Sequence, residues 1–184
     1  HLGVVNALLV DNRIDPNQAT LDTGVTPLLM AAKNGHVKVV NALLADKRVN
    51  PEQASKSGVT ALLIAAENGH VKLVNALLAD KRVNPEKANN DGATALLMAA
   101  KTGHLDVVNA LLVDNRIDPN QAKLDTGFTP LLIAAKNGHV EVVKALLADK
   151  RVNPEKASKS GATALFMAAK TGHLDVVNAL LVDN

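Results

Sequence analysis

The chain has 184 residues, of which 47% are hydrophobic, and its 20 basic and 18 acidic residues leave a net charge of +2. The charges are mixed along the chain, so there is no basic block of the kind that follows a phosphate backbone, and we expect no nucleic-acid partner. The absence of cysteine excludes disulfides, Cys-based zinc sites and a thiol nucleophile, and it fits an intracellular protein. The apolar runs are too short to span a bilayer, and no membrane association is expected.

One segment organises the rest of the sequence. It reads GVTPLLMAAKNGH from Gly24 and returns from Gly58, Gly92, Gly127 and Gly161, at intervals of 34, 34, 35 and 34 residues. A fixed period of this size indicates a solenoid, whose core is buried between neighbouring repeats. We therefore predict one domain over residues 1–184, with a half repeat at 1–12 and repeats that begin near residues 13, 48, 82, 116 and 151.

The chain opens with the second half of a repeat. Residues 1–10 match residues 104–113 at every position except Gly3, where the later copy has Asp106. The same similarity continues without a gap, so that residues 1–81 align with residues 104–184.

Each full repeat contains the same elements in the same order. A turn-rich connector leads to a first helix, a Gly-His junction and a second helix, which in the first copy runs from Val37 to about Ala45. Apolar residues in both helices recur at helical spacing. Thr26 and Pro27 predict the start of the first helix as N-cap and first-turn residue, and Gly35 predicts its end.

The terminal second helices are as apolar as the interior copies. Since the end repeats of a free-standing solenoid need a polar outer face, we expect this chain to self-associate or to belong to a longer array. Simple head-to-tail joining would place the helix ending at Asn184 directly before the helix starting at His1, with no first helix between them, and this favours a fragment of a longer array. The apolar positions are Leu2, Val5, Leu8 and Leu9 at one end and Leu174, Val177, Leu180 and Leu181 at the other.

The pattern G-x-T-P-L-x-x-A-A-x-x-G-H followed by V-x-V-V-x-A-L-L resembles the ankyrin repeat family over essentially all 184 residues. The resemblance implies an all-α solenoid of stacked antiparallel helix pairs with projecting hairpin-like loops. It also implies non-enzymatic protein binding through the loop tips and the concave face of the first helices. One departure is systematic, because apolar residues stand where the family pattern has His, and we expect apolar packing there: Leu29, Leu63, Leu97, Leu132 and Phe166.

The repeated histidines favour a structural role. One stands at each Gly-His junction, and packed helices place neighbouring copies roughly 8–10 Å apart. A metal ion needs nitrogen ligands at about 2 Å and cannot be shared across that gap. We therefore expect these side chains to satisfy backbone groups at the junctions, with no metal or cofactor: His36, His70, His104, His139 and His173.

A second series pairs an aspartate with an arginine two residues later in every connector. The five guanidinium groups could form an anion-binding stripe, or the pairs could brace successive loops, and the sequence favours bracing. No triad, paired-carboxylate site or phosphate loop stands out from the repeated background, so we predict no enzymatic activity. The pairs are Asp11/Arg13, Asp46/Arg48, Asp80/Arg82, Asp114/Arg116 and Asp149/Arg151.

The positions at which the repeats differ form the predicted partner-binding surface. Charge alternates along the loop tips and four of the five first-helix ends carry lysine, which favours an acidic or mixed-charge protein partner. Phe128 is the one aromatic anchor predicted on this face. The residues are Asp22, Thr23, Val25, Lys33, Asn34, Lys56, Ser57, Val59, Glu67, Asn68, Asn90, Asp91, Ala93, Lys101, Thr102, Asp125, Thr126, Phe128, Lys136, Asn137, Lys159, Ser160, Ala162, Lys170 and Thr171.

Two other interpretations of that surface stay open. The chain could be a structural or filament-forming array, a rod or an end-to-end assembly, without a specific soluble partner. The variable positions could also be an ordinary solvated surface. A different domain attached to the repeats would favour a binding adaptor, whereas many more repeats of the same sequence would favour the rod.

Overall fold

A computed structural model describes residues 2–182, and that part of the chain contains eleven α-helices and no β-strand. One second-type helix comes first, and five pairs of a first and a second helix follow it. The helices are α1 (Leu2–Val10), α2 (Pro27–Lys33), α3 (Val37–Ala45), α4 (Ala61–Glu67), α5 (Val71–Ala79), α6 (Ala95–Thr102), α7 (Leu105–Leu112), α8 (Pro130–Asn137), α9 (Val140–Ala148), α10 (Ala164–Thr171) and α11 (Leu174–Val182).

The first helices begin where the Thr-Pro and Thr-Ala pairs predict. The Thr26 hydroxyl oxygen accepts a hydrogen bond from the backbone N–H of Leu29 at 3.3 Å, and Pro27 occupies the first turn, where its missing N–H costs nothing. Such an N-cap contributes about 1 kcal/mol to a helix. The predicted start of this helix and the predicted bounds of the second helix, Val37–Ala45, are confirmed. The first helix ends at Lys33, and Gly35, two residues later, has the predicted left-handed conformation with a φ of 71°. The same hydroxyl contact recurs at Thr60, Thr94, Thr129 and Thr163.

The core is one continuous apolar layer that runs from repeat to repeat. In α6, Leu96 and Leu97 are only 1% and 3% exposed, and the two alanines that follow them in the helix are completely buried. Because alanine is small, the first helices of adjacent repeats can approach closely. The second helices contribute pairs such as Val108 and Leu111, both of which are fully buried.

Apolar packing replaces the family's histidine at four of the five predicted positions. Leu29, Leu63, Leu97 and Leu132 are all 3% exposed or less. Phe166 differs, because 55% of it remains exposed on α10. The expectation of a buried side chain is therefore wrong for Phe166: no described element packs over that face of α10.

The connector tips have the hairpin-like form that the family implies. In the fourth full repeat the backbone N–H of Lys123 donates to the carbonyl oxygen of Phe128 at 2.9 Å, which closes the tip. The next residue, Leu124, donates its N–H to the carbonyl oxygen of Asp91 in the preceding tip at 3.1 Å. Single bonds of this kind link successive tips into a row, which shares a groove with the first helices.

Candidate binding surface

The junction histidines connect each repeat to the one before it. The Nε2 atom of His139 donates to the carbonyl oxygen of Lys101 at 3.0 Å, and the ring lies against Gly103. Because a carbonyl oxygen can only accept, the ring carries its proton on Nε2. The predicted structural role is confirmed for four of the five histidines, and the backbone group that each of them satisfies belongs to the preceding repeat. His70, His104 and His173 make the same contact, to the carbonyl oxygens of Lys33, Glu67 and Lys136.

The arginine series has the same inter-repeat character. Nε and Nη2 of Arg82 bind both carboxylate oxygens of Asp80, with the shortest contact at 2.6 Å. Nη1 and Nη2 also donate to the carbonyl oxygens of Val49 and Leu44 in the preceding repeat, at 2.9 and 2.7 Å. With these donors used inside the protein, the geometry favours bracing over anion binding. Arg48, Arg116 and Arg151 donate equivalent hydrogen bonds to backbone carbonyl oxygens of the repeat that precedes each of them.

These contacts make stability depend on pH below about 4. The hydrogen bonds from the Arg116 side chain hold the pKa of Asp114 below its usual value. A lowered folded-state pKa contributes stability that is complete above the unfolded pKa of about 3.9 and is lost as the pH falls through the folded value. Asp114→Asn should therefore lower stability at pH 7 by about 1 kcal/mol, or about 2–4 °C in the melting midpoint, and by less at pH 3.

Melting followed by circular dichroism at both pH values measures this difference. Glu155→Gln is the control, since Glu155 is exposed, lies outside the helices and forms no ion pair within residues 2–182. An Asp114→Asn deficit of the same size at pH 3 and pH 7 would contradict the ionic role.

The described residues offer no metal centre. Between residues 2 and 182, no group of three or more His, Asp or Glu side chains is placed to hold a metal ion. In the same part of the chain, every helix is too short or too polar to cross a bilayer.

A groove between the third and fourth full repeats combines loop-tip and first-helix side chains. Its apolar wall is formed by Met98 of α6, Ile133 of α8 and Phe128, and the groove holds about 270 Å³. Phe128 is half-buried at the base of its tip, where the other repeats have the smaller Val25, Val59, Ala93 and Ala162. The groove is thus where the largest apolar side chain of the tip row meets the first helices.

Two lysines give this groove a positive rim. Lys101 and Lys136 both line it and both are exposed, and neither forms an ion pair within the described chain. The ammonium group of Lys136 lies 5.4 Å from the centroid of the Phe128 ring, close enough for a cation–π contact. A third lysine, Lys123, pairs with Asp125 at 2.8 Å, and the exposed Asp91 adds one negative charge to the lining, so the groove keeps a net positive charge.

Most of the sequence-predicted binding residues lie on the surface. Val25, Val59, Thr102 and Phe128 are partly buried, and the exposed residues are Asp22, Thr23, Lys33, Asn34, Lys56, Ser57, Glu67, Asn68, Asn90, Asp91, Lys101, Asp125, Thr126, Lys136, Asn137, Lys159, Ser160, Lys170 and Thr171. Ala93 and Ala162 are only 2% and 7% exposed, so they form the floor beneath their tips and offer a partner no side chain. The groove unites six members of the predicted set: Asp91, Lys101, Thr126, Phe128, Lys136 and the buried Ala93.

Sequence reasoning missed several groove residues. Met98 and Ile133 occupy one position of the first helix, which alternates between Met and Ile along the chain, and that variation was the signal. Lys123 and Asn89 likewise share a connector position that reads Thr, Ser, Asn, Lys and Ser in successive repeats.

A family model described as "Ankyrin repeats (3 copies)" matches the chain three times, at residues 1–86, 49–123 and 115–184. Together the three matches cover all 184 residues. No curated protein matches the sequence.

Proposed function

Because this chain belongs to the ankyrin repeat family, whose members are generally protein–protein interaction modules, we propose that it is a non-enzymatic scaffold that captures an extended segment of a partner protein. The observation that carries this proposal is the groove that Phe128 and Met98 line together with Lys101 and Lys136, two lysines that form no ion pair within the described residues. The repeat boundaries, and a place for this chain in a longer array, stay predictions.

The chemistry of the groove selects the kind of segment. A volume of about 270 Å³ fits one or two side chains, not a folded domain. Aromatic residues at the centre of an interface provide much of the binding energy, and Phe128 supplies such an anchor. The two unpaired lysines favour carboxylates in the ligand, so the partner segment is one in which acidic and apolar residues alternate.

The lysines at the ends of the first helices place the positive charge on one part of the solenoid. Lys33, Lys101, Lys136 and Lys170 occupy one position, whereas the second full repeat has Glu67 there. The positive stretch is therefore continuous only from the third full repeat onward, and it includes both lysines of the groove. An acidic segment is best placed across the third to fifth full repeats.

The proposal predicts how a model peptide binds. A fluorescein-labelled peptide of alternating glutamate and leucine should bind, and its lysine–leucine counterpart should bind more weakly. Phe128→Ala should weaken the glutamate–leucine peptide about 10-fold, the equivalent of about 1.4 kcal/mol, because the anchor is lost. Lys101→Glu with Lys136→Glu should reverse the preference between the two peptides. Fluorescence anisotropy in low salt measures both effects.

Phe166→Ala is the control, since Phe166 is an exposed phenylalanine that lies outside this groove. It should leave peptide affinity unchanged. Equal affinity of wild type and the Phe128→Ala variant for the acidic peptide, or equal binding of the two peptides, would exclude this groove as the site.

A further inference from the structure

The two ends of the described chain expose complementary apolar faces. At one end, Leu165 and Phe166 of α10 are 37% and 55% exposed, whereas their equivalents in α6, Leu96 and Leu97, are covered by the following repeat. At the other end, Pro27 and Met30 of α2 are exposed and line a groove of about 660 Å³. That groove lies where the first helix of a preceding repeat would pack.

The interior of the same molecule already contains the matching interface. Residues 161–182, which form α10 and α11, differ from residues 92–113 at one position of 22, where Phe166 replaces Leu97. Residues 24–48, which form α2 and α3, differ from residues 127–151 at four positions of 25. Since residues 92–113 stack on residues 127–151 within the chain, the last repeat carries the surface that fits α2 and α3.

The helix that now occupies this position, α1, contributes no buried side chain, although Arg48 donates a hydrogen bond to the carbonyl oxygen of Leu9 at 2.6 Å. Within α1, Val4 and Leu8 are 59% and 48% exposed. Gly3 lies in its first turn, where α7 and α11 have an aspartate, and glycine lowers helix stability by about 1 kcal/mol. An acidic residue in the first turn would also favour the helix through the macrodipole.

We propose that the chain assembles head to tail with further copies of itself: α10 and α11 of one copy stack on α2 and α3 of the next and displace its α1. In this arrangement α10 fills the groove beside Met30, and α11 takes the place of α1, whose sequence it repeats except at Gly3. The incoming copy thus supplies a complete pair of a first and a second helix to the face of α2 and α3. The inference does not depend on the peptide groove at Phe128.

The polar contacts between repeats extend across the same junction. Within residues 2–182, His36 has no partner for its ring, and no atom lies within 4 Å of the point where a Cβ on Gly172 would stand. Their equivalents, His139 and Gly103, are in contact, and the ring bonds the carbonyl oxygen of Lys101. Stacking would place His36 of one copy over Gly172 of another, within reach of the carbonyl oxygen of Lys170.

Charge also favours α11 over α1 at this position. Glu141 and Asp175 hold the same positions in the successive helices α9 and α11, and they line one groove although both are acidic. The corresponding positions in α1 and α3 are Gly3 and Lys38. Exchange of α1 for α11 brings Asp175 to Lys38, which replaces a neutral residue with an opposite charge.

The junction joins two different faces, so each added copy presents a new free face and the assembly does not close after two copies. Sedimentation of the 184-residue chain should show a mass that rises with concentration beyond the dimer. Met30→Glu and Phe166→Glu should each weaken assembly at least about 100-fold, because a charge would be buried without a partner. Both side chains are exposed in the single chain, so melting curves at low concentration should match the wild type.

An equimolar mixture of the two variants identifies the faces. Each variant keeps one intact face, so the mixture should form dimers and nothing larger, although each variant alone stays monomeric. A dimer of Met30→Glu alone would indicate a contact between two C-terminal faces and would overturn the proposal. A wild-type chain that is monomeric at all concentrations would also overturn it, and would leave chain outside residues 1–184 as the cover for these faces.

Hydrogen exchange tests the displacement of α1. On assembly, amides of residues 2–10 should exchange faster while those of residues 161–182 become protected. Protection of both segments would contradict displacement. Phe128→Ala should leave assembly unchanged, and Phe166→Glu should leave binding of the acidic peptide unchanged, so failure of this inference and failure of the proposed peptide binding are separable.

Discussion

Leu111→Ala should destabilise the chain by about 2–5 kcal/mol, the range for truncating a fully buried leucine. Leu111 lies in the last turn of α7 and is 0% exposed, in the middle of the continuous core. The loss includes both the transfer free energy of the side chain and the cavity left between α7 and its neighbours. In a chain of this length it should lower the melting midpoint by roughly 10 °C.

Val113→Ala is the control, because Val113 follows Leu111 by two residues but is 82% exposed. It should change the midpoint by no more than about 1 °C. Urea denaturation of the wild type and of the Leu111→Ala and Val113→Ala variants measures the free energy of unfolding of each. Similar losses for the two variants would mean that α7 is not packed as described.

The local features of the fold could be predicted from the sequence because short-range chemistry determines them. Thr26 and Pro27 fix the start of a first helix through a hydroxyl acceptor and a preset backbone angle, and neither depends on other repeats. The hydrogen-bond partner of His139 could not be predicted in the same way. Its acceptor, the carbonyl oxygen of Lys101, lies 38 residues earlier and becomes a neighbour only after the repeats stack.

The candidate site was predicted in outline only. Variation among the repeats identified Phe128, Lys101 and Lys136, but it gave equal weight to Ala93 and Ala162, which lie beneath the surface because their side chains are too short to reach it. Sequence position alone does not show how deeply a side chain is buried. The exposure of Phe166 could not be predicted for a similar reason, since burial at that position depends on whether a following repeat packs over it.

At Gly103, both the backbone conformation and the packing between repeats disfavour any residue with a side chain. Its φ of 80° lies in the left-handed region, where a side chain costs roughly 1–2 kcal/mol. A Cβ at this position would also lie 2.6 Å from Nδ1 of His139. Gly172 has a φ of 76° and nothing within 4 Å, so it shares the first restriction and lacks the second within the described residues.

Substitution of Gly103 and of Gly172 therefore separates the cost of the backbone conformation from the cost of the contact with His139. Gly172→Ala should cost about 1–2 kcal/mol at concentrations where the chain is monomeric. Gly103→Ala should cost about 1–2 kcal/mol more, because the displaced ring loses its contact and its hydrogen bond to Lys101. In a His139→Ala background the extra cost should disappear, and urea denaturation of the double-mutant cycle measures it. Equal losses for the two glycines in the presence of His139 would show that the histidine yields freely and contributes little to the stacking of the repeats.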